Sequence, residues 1–392
     1  MTSPQSSPEA NLLYVIGSLD LGGAERHVAQ IAPRLKDLGW RPAIYCLGRC
    51  GRQAQNVRAS GIEVIAPPME LSLASGNRPV KAVGITLSAI KLAALMAKRR
   101  PTIVHFFLPA AYLIGAPLAL LTRIPLCVMS RRSMNVYQDT HPIARHLEPR
   151  LHNHMSAILA NSERVRQQLI DEEGCAPDHV DLIYNGVDTE HFCLSADRPA
   201  QRERLDIAPG TFVITVLANL IAYKGHADLL AGLATVQADL PRPWLLQCIG
   251  RDDGLKSELS QLAEKLGLGE NVKFLGEQAD VASYLAASDM SVLPSHQEGF
   301  ANAILEAMAC GLPVVATDVG GNAEAVNNGV TGRIVDAHDA EALGRAIADI
   351  AQNPETAQAM GRAARKRAED EFSITSCAEA YDAFYRALMP PR

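Results

Sequence analysis

A chain of 392 residues exceeds the size at which one hydrophobic core keeps growing, so two domains are expected. Apolar residues at 48% suffice for two buried cores and argue against a disordered chain, while a net charge of −6 argues against a surface that tracks nucleic acid. The eight cysteines are scattered without a C-x-x-C pair, which argues against a disulfide framework or a zinc site and predicts reduced thiols. Residues 1–10 carry neither a basic nor an apolar run and read as a flexible lead rather than a secretion signal, in keeping with a cytoplasmic protein.

An apolar strand over 11–16 runs into a glycine turn containing Gly22 and Gly23, and a helical pattern follows over 24–35. Strands are predicted at 41–47 and 61–65, a helix at 86–99, a strand at 102–107 and a helix at 111–121. Strands at 126–130, 157–160 and 180–183 continue the alternation. The nearly uncharged stretch 103–129 is long enough to raise the question of a membrane span, but Pro109, Pro117 and Pro125 interrupt it. It reads instead as a buried strand followed by a buried helix. Lys98-Arg99-Arg100 and Arg131-Arg132 read as solvated element ends. The chain turns polar and irregular up to about residue 210, and the rhythm then restarts. Strands are expected at 212–217, 244–249, 272–275, 290–294 and 313–317, and helices at 226–237, 255–266, 281–286 and 301–309; terminal helices follow over 355–388. Such alternation predicts parallel sheets covered on both faces, with ligands at the carboxyl ends of the strands.

The densest chemical signal is His296-Gln297-Glu298-Gly299-Phe300-Ala301-Asn302, a turn between an apolar strand and a short helix. Backbone amides at a helix start receive phosphate oxygens, so this turn is a candidate diphosphate seat. Glu298 precedes the helix and Glu306 lies two turns inside it, so the two carboxylates reach different parts of one ligand. Glu306 sits among apolar neighbours, where a charge usually has a partner. The bland alternative is a helix-end carboxylate at Glu298 and an exposed one at Glu306.

Glu298 and Glu306, separated by seven intervening residues within EGFANAILEAMACGLPVVATDVGGNAE, together with GGAER from Gly22, YNGVD from Tyr184, YKGH from Tyr223 and NGVTGRIV from Asn328, resemble glycosyltransferase family 4 over nearly the whole chain. The resemblance implies the α/β GT-B fold: two Rossmann-like domains with a facing cleft and a C-terminal helix crossing back. The expected parts are an acceptor-binding domain at 11–195, a nucleotide-sugar domain at 196–370 and the returning helix at 371–392. It further implies retaining, metal-independent transfer of a hexose or N-acetylhexosamine, with no cofactor beyond a nucleotide-sugar co-substrate, UDP-linked by analogy or GDP-mannose as the alternative. Lys224 is similar to the lysine that neutralises the donor diphosphate, Glu298 to the residue touching the donor sugar, and Glu306 to the one accepting ribose hydroxyls. Gly22 and Gly23 resemble a loop that lets backbone approach the ligands. With Asn219, Arg251, Gly299, Phe300, Ala301 and Asn302 these form the expected donor set.

The chain departs from the family pattern twice. Ala218-Asn219 stands where relatives often have Gly-Arg, which shifts leaving-group stabilisation toward Lys224 or Arg251. In Val104-His105-Phe106-Phe107 only His105 titrates where many relatives have two histidines, so His105 is a candidate for orienting or deprotonating the acceptor, or else a satisfied core residue. His146, His152 and His154 lack the partners for a metal site. The expected acceptor is a saccharide or lipid-linked saccharide in surface-polysaccharide synthesis. Lys91, Lys98, Arg99, Arg100 and Arg123 suggest peripheral contact with an anionic membrane at its inner face. A dinucleotide oxidoreductase lacks its G-x-G-x-x-G turn here; a non-catalytic nucleotide-sugar-binding module is the other alternative.

Overall fold

A computed structural model describes residues 11–20, 22–72 and 77–390. The expected lead at 1–10, Leu21 of the glycine turn and the last two residues lie outside the described residues. The chain divides into two compact units, 1–185 with 374–392, and 186–373.

The first unit alternates β1 (Asn11–Ile16), α1 (Gly23–Asp37), β2 (Arg41–Cys46), α2 (Ala54–Ala59), β3 (Glu63–Ile65), α3 (Arg78–Arg99), β4 (Ile103–Phe107) and α4 (Pro109–Leu121). It continues through β5 (Leu126–Arg131), α5 (Pro142–His152), β6 (Ala157–Ala160), α6 (Glu163–Asp171) and β7 (Val180–Leu182). The second unit contains α7 (Arg198–Arg204), β8 (Phe212–Leu217), α8 (His226–Val236), β9 (Trp244–Ile249), α9 (Lys256–Lys265), β10 (Val272–Gly276) and α10 (Val281–Ala287). After these come β11 (Met290–Leu293), α11 (Asn302–Ala309), β12 (Val314–Thr317), α12 (Asn322–Ala325), β13 (Gly332–Val335), α13 (Ala340–Ala351) and α14 (Pro354–Glu371). The last helix, α15 (Ile374–Leu388), belongs to the first unit.

Both sheets are parallel throughout. Their orders are β3-β2-β1-β4-β5-β6-β7 and β10-β9-β8-β11-β12-β13, each the doubly wound order in which strand direction of travel reverses beside the first strand. In the first sheet the period of two along β1 divides the core. Leu12, Tyr14 and Ile16 pack with Val28, Ile31 and Leu35 of α1 and with Tyr381 and Tyr385 of α15. Leu13 and Val15 face the other way, onto Leu92 and Met96 of α3 and Ala116 and Ala119 of α4. The stretch 103–129 is thus β4, α4 and most of β5.

Three sequence expectations change. The second unit starts at Gly186 rather than residue 196, because the Val187 amide donates to Phe372 O at 2.8 Å and Val187 bridges Ser373. The helix read at 86–99 starts a full two turns earlier, at Arg78: Pro79 sits in its first turn, where a missing amide costs nothing, and Gly84 fits beneath Met69 and Leu71. Arg131 is not at a solvated strand end but buried, held by Glu148 at 2.7 Å and Glu173 at 2.8 Å. His152 joins the same network, with Nε2 on Glu173 at 2.8 Å and Nδ1 on the Tyr112 hydroxyl at 3.0 Å. All eight cysteines are free thiols, and only Cys193 is exposed.

Candidate functional site

In the second sheet the winding reverses between β8 and β11, and the loops leaving their carboxyl ends carry the residues that the sequence singles out. After β8 the chain passes Asn219, makes a 3-10 turn over Ala222–Lys224, and enters α8 through Gly225 in the left-handed conformation, φ 70°. A side chain at Gly225 would run into the carbonyl oxygen of Pro294, at the end of β11. The two loops are joined directly, since the His296 amide donates to Tyr223 O at 2.7 Å. This close passage places Lys224 Nζ 2.6 Å from Glu298 Oε1, with both side chains largely shielded from solvent. Lys224 Nζ also lies 5.3 Å from the centre of the Tyr223 ring.

Beyond Glu298 the chain runs through Gly299 and the buried Phe300 to Ala301, which precedes the first turn of α11 and has no side-chain oxygen to cap it. A helix start a few residues beyond a lysine–carboxylate pair is the combination that suits an anionic ligand. Glu306 is buried on α11, not an exposed residue chosen for helix propensity. Asn219 accepts the Arg251 amide on its Oδ1 at 3.0 Å, so only its NH2 end is left to donate to a ligand. The exposed Arg251 guanidinium is bound by both Asp253 oxygens, at 2.8 and 3.0 Å, and a ligand must compete with that carboxylate for it.

The pairings that support this segment, and the residues Asp228 and His338, escaped the sequence reading. His296 Nε2 meets Asp228 Oδ2 at 2.7 Å, tying the Glu298 segment to α8, and the His338 ring lies tilted against that of His296 with centroids 3.8 Å apart. Asp228, His296 and His338 also form a group of metal-ligand type, their donor atoms within 4.8 Å of one another. From the far side, Gly320 at φ 51° packs against the Glu298 carbonyl, the Gly321 amide donates to Gly299 O at 2.8 Å, and Thr317 Oγ1 bonds Ser295 O. His226, buried at the head of α8, has its pKa lowered to about 4 by burial and by the adjacent Lys224 charge, so it is neutral near pH 7.

The first unit carries Gly22 and Gly23 of the expected donor set and the acceptor candidate His105. Gly22 has ordinary extended backbone and precedes α1, which begins at Gly23; the carboxylate of Glu25 folds over Gly22 where a Cβ would stand. His105 requires correction. It is wholly buried, its Nδ1 is 2.6 Å from the Tyr385 hydroxyl, its Nε2 is 2.7 Å from Ser130 Oγ, and its ring stacks on Phe107 at 4.2 Å. Because β4 residues two apart share a face, His105 and Phe107 both point at α15. Burial, and behind it the Arg132 charge, push the His105 pKa well below its usual value. A neutral imidazole with both nitrogens engaged in the core is a peg for the last helix, not a base poised at an acceptor.

Comparison with known proteins agrees with this architecture. Residues 21–191 match the model described as Glycosyltransferase Family 4, and residues 197–367 match Glycosyl transferases group 1. Similar sequences include the D-inositol 3-phosphate glycosyltransferases of Streptosporangium roseum, 28% identical over 90% of this chain and 84% of the relative, and of Mycobacterium marinum, 29% identical over 98% and 84%. Among solved structures, Anabaena HepE in complex with UDP and glucose superposes with a TM-score of 0.83 at 23% identity, covering 97% of this chain and all of the other. Sucrose-phosphate synthase of Thermosynechococcus elongatus gives 0.81 at 21%, covering 97% and 99%. Two doubly wound units of this form define the GT-B class of glycosyltransferases. The chain belongs to glycosyltransferase family 4.

Proposed function

We propose that the protein moves a hexose or N-acetylhexosamine, with retention of configuration, from a UDP-linked donor to a saccharide or lipid-linked saccharide in surface-polysaccharide synthesis. The observation that carries this reading is the Lys224–Glu298 pair at the reversal point of the second sheet, with Glu298 in the segment that leads into α11. Cleavage of the bond between the sugar C1 and the phosphate oxygen leaves charge on that oxygen. In this reading the Lys224 ammonium, shared with Glu298, and the backbone amides at the start of α11 offset it. The incoming hydroxyl attacks on the face the diphosphate leaves, and its proton passes to the departing phosphate oxygen. No protein base is then required, consistent with the burial of His105. Glu298 holds Lys224 and reaches the transferred sugar, while Glu306 accepts ribose hydroxyls.

The similarity to D-inositol 3-phosphate glycosyltransferases favours a second acceptor, an inositol phosphate. Both readings share the donor chemistry and are separated by one assay. The purified chain is incubated with a panel of UDP- and GDP-sugars, alone and with saccharide or D-inositol 3-phosphate acceptors, with and without EDTA, and the product anomer is read by NMR. The reading expects UDP-sugar consumption, an axial or equatorial linkage matching the donor, and a rate unaffected by EDTA. Inversion of the linkage, turnover of no nucleotide sugar, or loss of rate with EDTA that a divalent ion restores would each overturn the corresponding part.

A further inference from the structure

Helix α3 is apolar on two opposite faces. Its buried face, Gly84, Ser88, Leu92 and Met96, lies on the first sheet, where the Tyr45 hydroxyl bonds both the carbonyl and the hydroxyl of Ser88. On the other side Val80, Val83, Leu87 and Ile90 are 51%, 57%, 43% and 62% exposed. Their spacing of three, four and three residues sets them in one stripe, at about 100° per residue, nearly opposite the packed face. Four large aliphatic side chains in a solvent-facing row are not the scattered exposure normal for a surface. The helix is long and apolar enough to cross a bilayer by composition, but a face committed to the sheet rules out a crossing while the unit is folded.

Charge identifies what covers the stripe. The 22 residues of α3 contain Arg78, Lys81, Lys91, Lys98 and Arg99 and no acidic residue, and Arg100 follows. Arg99 is bound to Glu63 and Lys91 donates to Ala66 O; Lys98 stays on the stripe's side of the helix near its C-terminal end, and Arg100 follows. Two copies meeting through this face would bring like charges together. A bilayer with anionic headgroups accepts aliphatic side chains and cations at once. We propose that α3 lies in the plane of an anionic membrane surface, with Val80, Val83, Leu87 and Ile90 entering the headgroup boundary and the cations at its C-terminal end, Lys98 and Arg100, meeting lipid phosphates. The inference rests on the surface of the first unit alone, so failure of the nucleotide-sugar assay would leave it standing.

The test is co-sedimentation of the full chain with vesicles of phosphatidylcholine, alone or with a third of the lipid replaced by phosphatidylglycerol, in about 0.1 M salt, where the screening length is about 10 Å. The wild type is expected to pellet with the anionic vesicles. The triple variant Val83→Ser, Leu87→Ser, Ile90→Ser is expected to lose partitioning on the order of tenfold or more, and Lys98→Glu to weaken it in a salt-dependent way. Because these side chains already face solvent, the variants keep the wild-type thermal midpoint, which checks their folding. Sedimentation equal on both vesicle types, sedimentation with neither, or a triple variant that partitions like the wild type overturns the proposal. So does light scattering that finds a wild-type dimer which the triple variant converts to monomer.

Discussion

Replacing Tyr385 by Phe tests whether His105 is a peg for the last helix. The substitution leaves the ring, which packs 5.3 Å from Trp40, and removes only a hydroxyl. That hydroxyl meets His105 Nδ1 at 2.6 Å and donates to the Tyr14 hydroxyl at 3.2 Å, and all three side chains are fully buried. An orphaned buried polar atom costs about 1–3 kcal/mol and a lost neutral bond about 1 kcal/mol, so the first unit should lose about 2–4 kcal/mol. For a unit of this size that lowers the midpoint by roughly 5–15 °C. The chain has two tryptophans, Trp40 in the first unit and Trp244 in the second. In a Trp244→Phe background the fluorescence of Trp40, whose indole donates to Asp382 of α15 at 2.7 Å, reports docking of that helix. Tyr385→Phe should shift this transition while leaving turnover per folded molecule, and its pH profile, unchanged at low temperature. An unmoved midpoint, or a pH-dependent fall in turnover from a folded variant, would refute the structural assignment and return His105 to the acceptor.

Gly225→Ala should be disruptive out of proportion to one methyl group, because it meets both a left-handed backbone, costing about 1–2 kcal/mol, and the Pro294 carbonyl. Loss of nucleotide binding with a midpoint lowered by several degrees is expected; wild-type binding would show that the two loops need not touch. Acid should destabilise the second unit through His226. Its folded pKa of about 4 lies below the unfolded value near 6.5, so the stability it contributes is complete above pH 6.5 and is lost as pH falls toward 4, about 3 kcal/mol in all. Denaturant titrations of His226→Gln should show a flatter dependence across that window, and an unchanged slope would contradict the assignment.

The fold was legible because its signals are local. Short apolar strands alternating with 3.6-period helices give a parallel sheet whatever the side chains do in detail, and the order of glycine turns fixes where each unit winds. The Lys224 and Glu298 assignments came from motif order, and their 2.6 Å approach follows from strands β8 and β11 being neighbours in the sheet, which separation of 74 residues hides. Which of the two readings of His105 holds was undecided by the sequence for a related reason. Period two told that it shares a face with Phe107, but which helix covers that face depends on α15, 280 residues away. The buried Arg131 network and the brace from His296 to Asp228 are likewise long-range pairings of polar residues, which carry no periodic trace. The full extent of α3 was obscured by Pro79 and Gly84, breakers by propensity that packing and first-turn placement make harmless.

The account as a whole depends on a diphosphate being met by Lys224 at the second sheet. Calorimetric titration of UDP into wild type and Lys224→Met, with thermal midpoints as the folding control, measures that directly. Removing one charge-assisted contact worth about 1.5–3 kcal/mol should weaken binding by roughly 10- to 100-fold. Equal affinity in a folded Lys224→Met protein would place the diphosphate elsewhere and contradict the assignment.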